Sequence, residues 1–178
     1  MSIQKYLRKN SFKIVLCGDG AVGKTTISRR LTKKYAANEN TNMTLGVEFH
    51  NLKIPNSEQN IYCQIWDLGG QHQFKGFHEV FFAYATVVIL TFAVNMYRSF
   101  KNLDFWLPFI SKEMLKKTYL LGNKIDFINR SVRKEDAIEF AKQKEMTYFE
   151  ISAKTGKGIE EFKSDLINTI ESIYQAKK

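Results

Sequence analysis

Near the start of the chain, Gly18-Asp19-Gly20-Ala21-Val22-Gly23-Lys24-Thr25 fits the pattern G-x-x-x-x-G-K-[S/T]. The run follows an apolar stretch, Phe12 to Cys17, and leads into an amphipathic one, Lys24 to Tyr35. Between a strand and a helix, such glycines let the backbone wrap an anion closely. Successive N–H groups then converge on a phosphate, with the positive end of the helix behind them. Lys24 has the reach for β- and γ-phosphates and so counts as catalytic as well as binding, while the Thr25 hydroxyl is a ligand for Mg²⁺. Thr26 closes the phosphate-binding run. The pattern indicates a nucleoside triphosphate and is silent on its base.

The base is read from Asn123-Lys124-Ile125-Asp126, directly after another apolar run. A carboxylate there accepts two hydrogen bonds, from the N1–H and the exocyclic amine of guanine. Adenine offers no such donor pair and would leave the carboxylate desolvated and unpaired. Glu150-Ile151-Ser152-Ala153-Lys154 ends the last apolar run, where a backbone N–H can meet the guanine oxygen. Trp66-Asp67-Leu68-Gly69-Gly70-Gln71 supplies the remaining chemistry. Asp67 suits the holding of Mg²⁺ through water, Gly70 can bring its N–H close to a γ-phosphate, and Gln71 can orient a water for in-line attack.

The elements that must position these groups alternate along the chain. Val47 to Ile54 and Ile61 to Trp66 alternate at period two around Pro55-Asn56-Ser57, which predicts an antiparallel hairpin. Phe12 to Cys17, Thr86 to Val94, Thr118 to Leu121 and Met146 to Ile151 are continuously apolar or β-branched and predict buried strands. Ser99 and Ser131 are candidate helix N-caps, and Pro108 should bend or end the first of those helices. Ile159, Phe162, Leu166, Ile170 and Ile173 recur at spacings of three and four, the core stripe of a last helix. The expected fold is α/β: a three-layer P-loop fold with a six-stranded, mostly parallel sheet, one strand antiparallel, and helices on both faces. Ligands of such sheets bind beyond the carboxyl ends of the strands, and every motif above falls there.

Composition narrows the class further. The 178 residues are 44% hydrophobic and 25% charged, with ten glycines and two prolines, which excludes disordered, collagen-like and low-complexity chains. Cys17 and Cys63 each sit inside an apolar run and read as buried free thiols. The formal charge of +9 is spread along the chain, with no aromatic-basic motif for nucleic acid beside it. Arg29, Arg30, Lys33 and Lys34 form a basic patch on the first helix, read as a solvated face. Val80 to Val94 is the longest apolar stretch and falls short of a bilayer span. Ser2 rules out myristoylation and no cysteine near the C-terminus is available for prenylation, so the expectation is a cytoplasmic protein with at most weak peripheral membrane contact through charge.

Taken together, these motifs resemble the Ras superfamily of small GTPases from about Phe12 to Tyr174. The resemblance implies one GTPase domain over residues 12–175, flanked by a short basic extension at 1–11 and a tail at 176–178. It implies a switch that binds GTP and GDP with Mg²⁺, hydrolyses GTP, and works with an exchange factor, a GTPase-activating protein and effectors; a monomer is the default expectation. Thr44-Leu45-Gly46-Val47-Glu48-Phe49 is similar to the first switch of Rab proteins, and by that resemblance Thr44 ligates Mg²⁺ and holds the γ-phosphate. Asp67-Leu68-Gly69-Gly70-Gln71, by contrast, looks like the Arf and heterotrimeric α-subunit version of the second switch. Phe74 and Phe82 fall where Rab proteins carry aromatics, and Tyr35 is the residue placed to pack edge-on against guanine. A nucleotide-stabilised scaffold without turnover and a small-molecule kinase are the competing readings; the second gives no reason for Asn-Lys-x-Asp.

No arginine lies between Lys34 and Thr44, so the first switch offers no arginine of its own for the transition state. Hydrolysis should therefore be slow alone and accelerated roughly 10³–10⁵-fold by an activating protein that brings positive charge. Gln71→Leu is expected to leave nucleotide affinity nearly intact and to abolish stimulated turnover, read by phosphate release with and without activator.

Overall fold

Val87–Ala93 is buried residue for residue, which places it at the centre of a sheet covered on both faces. The structure, a computed structural model, describes residues 11–36, 43–54, 61–70 and 78–177. Its strands are β1 (Ser11–Gly18), β2 (Val47–Lys53), β3 (Tyr62–Leu68), β4 (Val87–Ala93), β5 (Thr118–Asn123) and β6 (Thr147–Glu150). They form one sheet in the order β2-β3-β1-β4-β5-β6. Only β2 runs antiparallel, paired with β3 from Val47 opposite Leu68 to Lys53 opposite Tyr62; every other neighbouring pair is parallel. The expected hairpin and sheet are thus present, while the Pro55-Asn56-Ser57 turn lies outside the described residues.

The helices are α1 (Lys24–Leu31), α2 (His78–Phe82), α3 (Tyr97–Lys101), α4 (Leu103–Trp106), α5 (Lys112–Leu115), α6 (Lys134–Gln143) and α7 (Ile159–Gln175). Period-two alternation divides them between two layers. Ile14, Leu16 and Ile65 face Ile27 and Leu31 of α1 and Phe162, Leu166 and Ile170 of α7. Val15, Val88, Leu90 and Leu120 face Phe82 of α2, Leu103 and Trp106 of α4 and Ala137 of α6. The same alternation puts Cys63 in the first layer and Cys17 in the second, so the sheet itself separates them and both thiols stay free. Burial pushes the Cys63 thiol up to about 12 and Cys17 higher still. No helix among the described residues is long and apolar enough to cross a membrane.

Three local expectations need correction. The first helix stops at Leu31 rather than reaching Tyr35, because Lys33 turns left-handed at φ 57°. Ser99 does not cap a helix but lies inside α3, 1% exposed. Its hydroxyl donates to the Met96 carbonyl at 2.7 Å and accepts from the Ala93 N–H at 3.0 Å, which pins the helix to the end of β4. Pro108 does end the following segment, in a 3₁₀ turn over Leu107–Phe109. Ser131 is displaced from the cap of α6 by Arg133, since Val132 must be buried and the N–H groups of Ser131 and Val132 both bond the Val94 carbonyl, at 2.9 and 3.0 Å.

Phe162 is wholly buried and meets the Tyr119 ring edge-on at 5.4 Å between centroids. Phe162→Ala should cost about 3–5 kcal/mol in denaturant unfolding, because α7 cannot close the space without leaving the sheet. Lys13 is 8% exposed, with its amine over the Trp66 ring and donating to the Ala83 carbonyl at 2.9 Å. Burial lowers its pKa to about 8, against 10.5 for an ordinary lysine. The unfolded chain therefore holds more protons between those values, and wild type should gain about 1–3 kcal/mol relative to Lys13→Met as pH rises through that window.

Candidate functional site

All four motif segments leave the carboxyl ends of parallel strands on the same edge of the sheet: residues 18–26 after β1, 67–70 after β3, 123–126 after β5 and 152–154 after β6. The first is a loop of left-handed turns, with φ 135° at Gly18, 60° at Ala21 and 97° at Gly23. It cannot be lined with side chains. A Cβ on Gly18 would lie 2.1 Å from the Thr91 carbonyl oxygen, and one on Gly23 would lie 2.5 Å from Asn123 Nδ2. Gly23 caps α1 without a side-chain bond, and the first turn carries no acidic residue, so the free N–H groups and the positive end of the helix face outward. Val22 is wholly buried beneath the loop. Gly20, Ala21, Gly23, Lys24, Thr25, Thr26, Met43, Thr44 and Gly70 enclose a cavity of about 240 Å³.

Lys24, 6% exposed, folds back over the loop and donates to the carbonyls of Gly18 at 2.9 Å and Asp19 at 2.7 Å. Burial lowers its pKa, opposed by the charges of Asp67 and Asp19. The Thr25 hydroxyl donates to Asp67 Oδ2 at 2.6 Å and lies 2.9 Å from the Thr44 hydroxyl. Asp67 is wholly buried, and burial pushes its carboxyl up to about 6 although the Thr25 hydrogen bond and Lys24 pull it down. Its other oxygen, Oδ1, is buried without a hydrogen-bond partner among the described residues. Two hydroxyls and a carboxylate with a spare oxygen make an all-oxygen donor set, which fits a hard cation such as Mg²⁺.

Gly70 wedges against the same loop: a Cβ there would sit 2.2 Å from the Gly20 nitrogen. Beside it, the Gly69 N–H donates to the Gly46 carbonyl at 2.7 Å, tying the segment after β3 to the segment before β2. Gln71 lies outside the described residues, as do His72, Phe74 and Phe77.

The loops after β5 and β6 form one unit. Asn123 reaches both ways, with Nδ2 donating to the Val22 carbonyl at 2.8 Å and Oδ1 accepting from the Ala153 N–H at 2.9 Å. Ser152 is wholly buried, and its hydroxyl donates to Asp126 Oδ1 at 2.6 Å, which aims the carboxylate. Lys124 is held left-handed at φ 69°, its pKa lowered by burial against the pull of Asp126. Two contributors escaped the sequence reading. Asn102, on the far side of β4, donates to Asp19 Oδ2 at 2.7 Å, and only the pairing of β1 with β4 brings them together. Arg30 leaves the expected solvated patch: it donates to the Ala153 carbonyl at 2.8 Å and the Lys154 carbonyl at 2.5 Å. Tyr35 lies with its ring face on that guanidinium, at 3.5 Å.

Residues 13–172 match the Ras family. The chain is 35% identical over 158 residues to Ras-related protein Rab-30 of Homo sapiens, covering 87% of this chain and 77% of the relative. It is 34% identical over 155 residues to Ras-related protein Rab-2B of Dictyostelium discoideum, covering 84% and 75%. To Ras-related protein Rab-13 of Canis lupus familiaris it is 32% identical over 162 residues, covering 89% and 79%. With its P-loop, its guanine-type loop and this match over nearly its whole length, the chain belongs to the Ras family, as a Rab-like, GTP-binding switch GTPase with a role in trafficking or signalling.

Proposed function

We propose that the site holds GTP or GDP with its phosphates on residues 18–26 and its base between residues 123–126 and 152–154. The observation that supports this most is the meeting of Thr25, Thr44 and Asp67 at one hydroxyl, beside a cavity of about 240 Å³ that Thr25 and Thr44 line. Asp126, aimed by Ser152, accepts the guanine N1–H and amine. Because Asn123 takes the Ala153 N–H, the donor left for the guanine oxygen is the next along the chain, that of Lys154. Thr25, Thr44 and Asp67 would hold Mg²⁺, which when bound neutralises charge on the phosphates. Lys24 neutralises the β- and γ-phosphates, Gly70 meets the γ-phosphate with its N–H, and Gln71 orients the attacking water.

The switching follows from the same contacts. A γ-phosphate holds Thr44 and Gly70, and the Gly69–Gly46 hydrogen bond makes their segments move together once it is gone. Effectors read what these segments carry to the surface: Leu45 and Phe49 are 76% and 53% exposed, and Phe49 stands edge-on to Trp66 at 4.8 Å. An exchange factor and an activating protein complete the cycle. The protein works as a cytoplasmic monomer that touches membranes only peripherally.

Single-turnover hydrolysis of GTP pre-loaded on the protein, beside an ATP control, tests this reading. Slow phosphate release from GTP alone is expected; ATP turnover would overturn the assignment of Asp126. Asp126→Asn puts a donor against the guanine N–H groups, and GDP affinity should fall by about 10²-fold or more. Gly70→Ala cannot accommodate its methyl group against Gly20, so it should retain GDP while losing about 10²-fold in hydrolysis, measured on the same pre-loaded protein.

A further inference from the structure

Helix α1 has two working ends. Lys24 and Thr25 open it at the phosphate cavity, and Arg30 lies in its last turn. At about 1.5 Å of rise per residue, the two ends are roughly 8–9 Å apart along one rigid element. Arg30 places Nε on the Ala153 carbonyl and a terminal nitrogen on the Lys154 carbonyl, at 2.8 and 2.5 Å. Both carbonyls belong to the loop that faces the base. The other side of the guanidinium carries Tyr35, ring face against it at 3.5 Å, and the Tyr35 hydroxyl reaches the same Lys154 carbonyl at 3.3 Å. The aromatic expected to stand against guanine thus addresses the base loop through Arg30. Gly156, two residues further on, is the position at which an added Cβ would come 3.7 Å from the guanidinium.

Together with Asn123, these contacts form a closed ring. The phosphate loop is tied to Asn123 through Val22, Asn123 to Ala153, Ala153 to Arg30, and Arg30 by its helix back to the phosphate loop. We infer that Arg30 is a positioning residue for guanine recognition, with Tyr35 as its brace: it fixes the loop at residues 152–154 against α1 so that the loop's N–H meets the 6-oxygen of the base. This rests on the reading that the base lies at Asp126. A planar fork with several donors suits the task, since it can bond two carbonyls in its plane while an aromatic ring lies on its face, whereas an ammonium has no fixed plane to hold the two carbonyls and the ring in one arrangement.

The test is dissociation of GDP, followed by fluorescence of a ribose-labelled GDP, from wild type, Arg30→Ala, Arg30→Lys, Tyr35→Ala and the Arg30→Ala/Tyr35→Ala double variant. Asp126→Asn serves as the control for the base site. Arg30→Ala should release GDP about tenfold faster, the loss of one or two charge-assisted hydrogen bonds at a partly exposed site. Arg30→Lys should fall between wild type and Arg30→Ala, and the double variant should release more slowly than the product of the single effects, because Tyr35 acts through Arg30. The readout that a merely loosened fold would not move is the comparison with the labelled diphosphate of 2-aminopurine riboside, which keeps the exocyclic amine but lacks the 6-oxygen and with it the N1–H, so each variant is compared with wild type on the same nucleotide. Its release should be accelerated by Arg30→Ala clearly less than that of GDP. Equal acceleration of both nucleotides, or GDP release at the wild-type rate from Arg30→Ala while Asp126→Asn releases fast, would overturn the inference and leave the base site standing. Wild-type release from Asp126→Asn would instead remove the base site itself. Should Arg30→Ala fail to fold, Arg30→Lys and Tyr35→Ala decide by the same comparison of the two nucleotides.

Discussion

Three segments at the carboxyl edge of the sheet depend on one hydroxyl group. Thr25 Oγ1 lies within hydrogen-bond distance of both Asp67 and Thr44, and so joins three stretches of chain: the start of α1, the end of β3 and the segment before β2. A hydroxyl can donate once and accept twice, which is what allows it to sit between a carboxylate and a second hydroxyl. The cost is a carboxylate buried in a region of low dielectric, visible in the upward shift of Asp67. Such a group is stabilised by nearby positive charge, and Lys24 supplies part of it from the adjoining loop.

The rest of the fold is arranged to bring these stretches to one edge. Parallel strands deliver their carboxyl ends to the same side, and the order β2-β3-β1-β4-β5-β6 sets the glycine loop after β1 in the middle, Asp67 on one flank and the loops after β5 and β6 on the other. Glycine at 18, 23 and 70 is required because backbone or a functional side chain already occupies the space a Cβ would take. Gly23 and Gly70 are also among the residues that line the cavity.

The loops after β5 and β6 are held from below by buried polar groups. Asn123 and Ser152 are 2% and 0% exposed, and each spends its hydrogen bonds on backbone or on Asp126. Buried polar groups that are fully bonded specify one geometry, because any displacement leaves a desolvated donor or acceptor. Arg30 does the same from the outside of the loop, where the aromatic ring of Tyr35 covers it.

Residue types and spacing alone determined the glycine loop between β1 and α1, the hairpin, the buried strands and the α7 stripe, because each is a local pattern: a few neighbouring residues set the conformation. The helix starts at Ser99 and Ser131 were misplaced for the complementary reason. A serine is a good cap only if its neighbours can be exposed, and the burial of Val132 and the bonds of Ser99 to the end of β4 outweigh that preference. The sharing of the Thr25 hydroxyl, the aiming of Asp126 by Ser152, the bond from Asn102 to Asp19 and the reach of Arg30 to residues more than a hundred positions away were decided by tertiary structure. Each joins groups on segments far apart in the chain, and which segments meet at the end of a sheet is set by strand order and register, quantities that no stretch of neighbouring residues contains.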